Sequence, residues 1–548
     1  MLIVSAWCFF FELGWPQPAD IALASTGLRT ESASSTESIN QFYFPATGIS
    51  VEDQAVLLAV DDVSLPLKRN LAYFITKPTV RDEPVLTPSR DDRDAPDFLA
   101  THFYGTVLHD QGKFRMWYYP CHLGKNPDWP SELQTQAEHW KHEVIPGPLC
   151  YAESDDGLVW NKPNLGQVLF KGNRDNNAIA LPSALTANAC VIKDVSDPDP
   201  ERRYKLVYWS QYDPYDYPTI RLATSPDGLH WTANKEAPLE AFLEHASFYQ
   251  FNGLYIANGQ SHLRGESGRN RGRQGAAFLS TEFDHWQQEP AESFALPYVE
   301  SRKRDEVHLG VGGASYGNVL IGLFCRWHND EDFSKISGDF GLVVSNDGLA
   351  FREPVKGFNW LSAEDSPATP VQGKDYHTIL CQANGILNVG DETRIYHGRW
   401  RNIGWGQPDM EIEDYYAEVG LATLPRDRWG ALGLVDDYPE GSVWTTPIRL
   451  PERGCALSLN ADGVDSMSVE VANEDFALMP DYSGELSGKV SGPDGLNCPV
   501  SWSSRSLADL AGRTVRFRVT IQRNNDPRLY ALYLTAGTNV ATDIKLPR

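Results

Sequence analysis

Four short stretches of this 548-residue chain set a carboxylate beside a histidine: Asp97 with His102, Glu244 with His245, Asp305 and Glu306 with His308, and Asp375 with His377. A fifth stretch carries amides instead, Asn176, Asn177 and Asn188. Paired carboxyl groups are the equipment of general acid–base chemistry. One is kept protonated to release a leaving group, and the other is ionised to act as base or nucleophile. General acid duty is assigned to Glu306 or Glu244, and base or nucleophile duty to Asp375 or Asp97. A neutral imidazole can hold a hydroxyl or tune a neighbouring carboxyl. His308, His377, His245, His102, Asn188 and Arg304 are therefore expected to bind substrate, with Trp117 and Trp327 offering flat apolar faces. These residues can work together only if the fold gathers them.

A repeated phrase says how. A few apolar residues, a small hydroxyl residue, an Asp or Gly turn and an aromatic recur five times, closing on Trp160, Trp231, Trp286, Phe351 and Trp429. Clear copies are Ser154-Asp155-Asp156-Gly157, Ser225-Pro226-Asp227-Gly228 and Ser345-Asn346-Asp347-Gly348. Asp-Gly supplies the positive φ of a tight hairpin turn, and the Ser and Asp side chains can accept from nearby amides. Each copy follows another strand pair, as in Tyr104 to Tyr119, so each unit holds about four strands. Such units in a loose period are the mark of a radial array of small sheets. The expected fold is all-β: a five-bladed β-propeller over 46–442, then a β-sandwich over 443–548. In a propeller the innermost strands start around one central funnel, and the carboxylate–histidine stretches fall at those starts. The acids of the repeated turns (Asp155, Asp156, Asp227, Asp347) lie away from the axis on this plan and are expected to be structural.

Composition agrees with a turn-rich β protein: 44 Gly, 36 Pro and 11% aromatic residues. The formal net charge of −25 repels phosphate backbones and anionic lipid, which argues against nucleic-acid and membrane partners. No stretch approaches a membrane span. The eight cysteines form no Cys-x-x-Cys pair, so no zinc site is expected; no cofactor is required, and a structural divalent cation has no motif to indicate it. Cys121 with Cys150, and Cys455 with Cys498, could form staples. Residues 130 to 142 could form a short helix within a long insertion, and such insertions shape pocket mouths. Residues 1–45 read as a leader, with an apolar start and a Thr- and Ser-rich run. A degenerate secretory signal there points to a secreted or periplasmic protein.

The chain resembles the glycoside hydrolases of families 32 and 43, and more closely the "glycosyl hydrolase family 32 N-terminal domain-like" proteins of planctomycete-type bacteria. The stretches that carry the resemblance are 58–62, 104–119, 151–166, 172–177, 419–423 and 507–517. The resemblance implies a propeller with a following sandwich and a carbohydrate substrate, from a plant or algal polysaccharide or its oligosaccharides. The family 32 motifs Asn-Asp-Pro-Asn-Gly, Arg-Asp-Pro and Glu-Cys are absent, so fructosidase activity does not carry over. Hydrolysis of a glycosidic bond needs two carboxyl groups across it. A carbohydrate-binding protein without a complete acid/base pair, and a surface interaction protein, are the alternatives on the same scaffold.

Overall fold

The computed structural model describes residues 48–138, 140–210, 219–264, 270–297, 305–402 and 411–537. The expected leader and Arg304 lie outside them. The protein is all-β; among the described residues the one α-helix is Ser131–Ala137, in the insertion where a helix was expected. Between residues 79 and 425 the chain forms five successive antiparallel units. Units two, three and four each run in simple order, as in Glu244–Phe251, Leu254–Arg264, Asn270–Ser280 and Ala291–Phe294 of unit three. Unit one is built on Ala100–Asp110, Lys113–Leu123 and Cys150–Ser154.

Unit five takes its outermost strand from the other end of the chain. Thr79–Val80 pairs with Tyr416–Pro425, so an early segment completes the last unit. The inner strands of all five units line one small cavity of about 150 Å³, with Thr106, Val191, Phe248, Gly313 and Asn384 each contributed by a different unit.

The repeated phrase forms the turn its chemistry requires. In three units the hydroxyl of Ser154, Ser225 or Ser345 accepts from the amide of Gly157, Gly228 or Gly348 at 2.8–3.0 Å. Oδ1 of Asp156, Asp227 or Asp347 accepts two further amides at 2.7–2.9 Å. Each glycine carbonyl is then capped by an aromatic from the preceding unit. Tyr396 Oη donates to Gly157 O at 2.9 Å, Trp117 Nε1 to Gly228 O at 2.8 Å, and Tyr249 Oη to Gly348 O at 2.9 Å. The first of these joins unit five to unit one. At Gly228, with φ +77°, a Cβ would stand 2.9 Å from Trp117 Cζ2, so the latch itself demands glycine.

The remaining described strands join in one curled 13-stranded sheet, whose two halves share a second core. Leu57, Leu459, Leu532 and Leu534 of one meet Val443, Val469, Val519 and Ile521 of the other, all fully buried. Residues 49–75 were expected to belong with the repeats, but their strands pair here. Gln54–Leu58 lies beside Arg528–Ala536, Leu67–Arg69 beside Glu440–Trp444, and Leu71–Ile75 beside Gly430–Leu434. The reason is packing: the apolar run at 55–59 fills the second core. The same strands dock on unit four, where Asn318 exchanges two hydrogen bonds with the backbone of Val56 at 2.9 and 2.8 Å. Asp427 also ties the parts together. Buried and at φ +61°, it accepts from Tyr316 Oη of unit four (2.6 Å), Asn388 Nδ2 of unit five (2.7 Å) and Tyr533 Oη of the second core (2.8 Å).

The seven described cysteines are buried free thiols, so neither expected staple forms. Register explains this. Cys150 sits opposite Tyr118 rather than Cys121, and Cys498 sits opposite Leu459, four residues along the strand from Cys455. At ~3.4 Å per residue, the second offset exceeds the reach of a disulfide.

Candidate active site

Each of the five inner strands loses register near its start. The breaks fall at His102/Thr106, Ala187/Ala189, His245/Ser247 and His308/Val311, and in unit five between Cys381 and Ile386. Bulges re-aim side chains, and here they turn the strand starts toward a common centre. In unit four the break holds Leu309 left-handed at φ +58°. That conformation costs a leucine about 1–2 kcal/mol. It persists because the Leu309 amide donates to Gln260 Oε1 at 3.0 Å. The other end of that amide, Nε2, donates to Glu244 Oε2 at 2.6 Å. Backbone strain and a carboxyl group are thus joined through one side chain.

Arg273 is the hub of the cluster. It comes from the third strand of unit three and is almost wholly buried. Its Nη1 lies 3.0 Å from His308 Nδ1, its Nε lies 3.7 Å from Glu306 Oε2, and its guanidinium stacks 4.5 Å from the Trp327 ring centre. Glu306 and Trp327 are direct neighbours across a strand pair. Glu244, buried at 6% exposure, feels the same guanidinium. Burial pushes its carboxyl up to about 7, opposed by the attraction of Arg273 and the Gln260 hydrogen bond. Two carboxyl groups from adjacent units therefore flank one cation, and one of them holds its proton near neutral pH.

The protons of the histidines follow from the same contacts. Burial first, and then Arg273, hold His308 well below its ordinary value, so the ring is neutral. A guanidinium cannot accept, so Nδ1 is the acceptor and Nε2 carries the hydrogen. Nε2 donates to Tyr104 Oη at 2.9 Å, which leaves the phenol hydrogen for Cys381 Sγ at 2.8 Å. His102, pushed by burial down to about 3, stacks on Tyr119 at 4.7 Å and contacts Tyr415 Oη at 2.6 Å. Trp400 closes the cluster edge-on to His102 at 5.2 Å.

Of the residues expected from sequence, the structure brings together Glu244, Glu306, His308, Trp327 and His102. It places the others elsewhere. Asp97 is buried but ion-paired to Lys162 at 2.6 Å and accepts from Tyr118 Oη at 2.8 Å, which makes it a tether of unit one. Asp375 and His377 are solvent-exposed, in a segment where the His377 amide donates to Ser334 O at 3.1 Å. Their approach to the funnel was inferred from the inner strand of unit five, but that strand begins only at Ile379. His245 donates from Nε2 to Val207 O at 3.0 Å, and Asn188 donates to His245 O at 2.5 Å, so both stitch unit two to unit three. Trp117 is spent on the turn latch between units one and two.

Arg273, Gln260, Tyr104, Tyr119 and Tyr415 were not singled out by sequence. The available signal for Arg273 was an arginine next to the small, apolar run 275–279, where an unpaired charge would be costly.

No protein-family model matches the sequence. No curated protein matches it either. Among solved structures the chain is similar to a glycosyl hydrolase from Bacteroides ovatus, at 15% identity and TM-score 0.40, over 65% of this chain and 95% of that one. It is similar to a β-1,2-mannobiose phosphorylase from Listeria innocua at 12% identity and TM-score 0.39, over 65% and 97% of the two chains. A third is a glycoside hydrolase family 43 arabinoxylan arabinofuranohydrolase from Bacillus subtilis, at 9% identity and TM-score 0.34, over 83% and 99%.

Proposed function

We propose that this protein is a glycoside hydrolase built on a five-bladed propeller with an appended β-sandwich. It cleaves a glycosidic bond in a plant or algal polysaccharide, or an oligosaccharide derived from one. The observation that carries this reading is the pair Glu244 and Glu306 around Arg273. A carboxyl group at about 7 beside an ion-paired one is the division of labour that glycoside cleavage needs. Glu244 gives its proton to the glycosidic oxygen as the bond from that oxygen to the anomeric carbon breaks. Glu306 either takes a proton from the water that attacks the anomeric carbon, or attacks that carbon itself. In the second case water hydrolyses the resulting ester, and its proton returns to Glu244. Arg273 orients Glu306, with Trp327 packed against the same guanidinium. A polymeric substrate cannot cross a membrane, so the reading carries a secreted or periplasmic location with it.

The test is release of reducing sugar across a polysaccharide panel by the parent protein, Glu244→Gln and Glu306→Gln. Release by the parent and a loss of about 100-fold or more in each variant is expected. A parent that releases nothing, or amide variants that keep full turnover, overturns the assignment. The near-complete burial of Glu244 favours one alternative, binding of sugar without cleavage. Retention of the parent on a polysaccharide that it never shortens would be its signature.

A further inference from the structure

The outward face of the sheet around Glu440–Trp444 and Thr514–Gln522 holds a second concavity, of about 620 Å³. Register arranges its side chains in rows. One row crosses five strands as Arg69, Ser442, Thr520, Ser468 and Lys489. The next row sets Trp444 beside Arg518 and Glu470. Alternate residues of the same strands (Val443, Val519, Val469) are buried in the second core, so the rows face away from it. Three short hydroxyl side chains form the floor, and cations stand at both ends. With strands ~4.8 Å apart, the trough is about 19 Å across from Arg69 to Lys489.

The walls are ordered unevenly. Arg518 Nε holds Glu470 at 2.6 Å and lies 5.2 Å over the Trp444 ring, and Arg69 meets Glu440 at 2.7 Å. Lys489 is exposed and has no ion pair among the described residues. The lining holds Lys68, Arg69, Lys489 and Arg518 against Glu440 and Glu470. Lys68 turns its ammonium to Tyr73 Oη at 2.8 Å, so three cations stand against two carboxylates and the trough keeps a small positive excess on a chain whose formal charge is −25. Most anionic ligands are repelled by the whole molecule but not by this trough. A hydroxyl floor with an indole beside it suits a ligand that combines hydroxyl groups with negative charge.

We propose that the trough is a second carbohydrate-binding site, taking an oligosaccharide of uronic acids. Sugar hydroxyls lie over Ser442, Thr520 and Ser468, a sugar ring rests against Trp444, and carboxylates meet Arg69 and Lys489. Only the choice of a sugar as the ligand rests on the hydrolase reading above.

Calorimetric titration of the full-length chain carrying Glu244→Gln, which blocks turnover, tests it with tetragalacturonate and with neutral cellotetraose. Tetragalacturonate should bind at least ten-fold more tightly, and more weakly as salt rises. The double substitution Arg69→Glu with Lys489→Glu, and Trp444→Ala by itself, should each weaken it at least ten-fold. Equal binding of the two sugars, no binding of either, or binding indifferent to charge reversal overturns the proposal. The two readings also fail separately. Trough-dependent binding in a parent that releases no sugar keeps this site and sinks the hydrolase, and sugar release without such binding does the reverse.

Discussion

Glu244 sets the expected pH behaviour of the protein in two ways. In the proposed role of general acid it must be protonated, so kcat/KM should fall on the alkaline side with an apparent pKa near 7. Glu244→Gln should abolish that limb, and an aryl glycoside with a good leaving group should suffer far less from the substitution than an unactivated sugar. Stability follows the same carboxyl. Its folded value of about 7 lies above the ordinary 4.5, so its contribution is complete below pH 4.5 and is lost as pH rises through 7. Denaturant titrations across that window should slope downward in the parent and less so in Glu244→Gln. His328 behaves with the same sign at higher pH. Asp305 and Asp339 hold its ring at 2.8 and 2.9 Å and raise it to about 9. Its contribution is therefore full below the ordinary 6.5 and disappears as pH passes 9, and His328→Gln should remove that loss from the melting curve. At this scale the sequence was half legible. Glu244, Glu306 and His308 were visible as acids and histidines at strand starts. Arg273, which joins them, was not, because it enters from a third strand with no motif around it.

The repeated turn is an element whose parts share one purpose. The carboxyl of Asp156 is held below its ordinary range by the amides of Val159 and Leu158, the mark of a group engaged by backbone rather than by substrate. Asp156→Ala, Asp227→Ala and Asp347→Ala should each lower the melting temperature, at about 1–2 kcal/mol apiece, and leave kcat/KM unchanged. Gly228→Ala should cost about 1–3 kcal/mol, because it strains the backbone and strikes the Trp117 ring. Trp117→Phe, which keeps the packing and loses the Nε1 donor, should cost less. These turns were readable because Ser, Asp and Gly act locally, within four residues. The strand starts were placed less well. Each begins with a bulge whose depth differs, and no local residue announces how many positions a bulge will skip. That is why His245 and Asn188 were expected in the funnel and are found bracing units two and three instead.

At the scale of the whole molecule, Asp427 is the joint between the repeated units and the second core. Asp427→Ala takes the acceptor from the buried phenol hydrogens of Tyr316 and Tyr533, a loss of about 3 kcal/mol or more. The calorimetric melt should broaden or split as the two parts unlink, whereas the parent should melt with both cores coupled. The class of fold was legible from the repeats, but the path of residues 49–75 was not, because strand pairing over such separations leaves no local trace. That path has a consequence for how the protein comes into being. Thr79–Val80 must wait for Tyr416–Pro425, and Gln54–Leu58 must wait for Arg528–Ala536, the last described strand. At roughly 5–20 residues per second of synthesis, the first strands stay unpaired for on the order of tens of seconds. Over that interval the nascent chain carries the apolar strand Gln54–Leu58 with its edges open. Its yield in the cell should depend on whatever shields those edges until the final strand emerges.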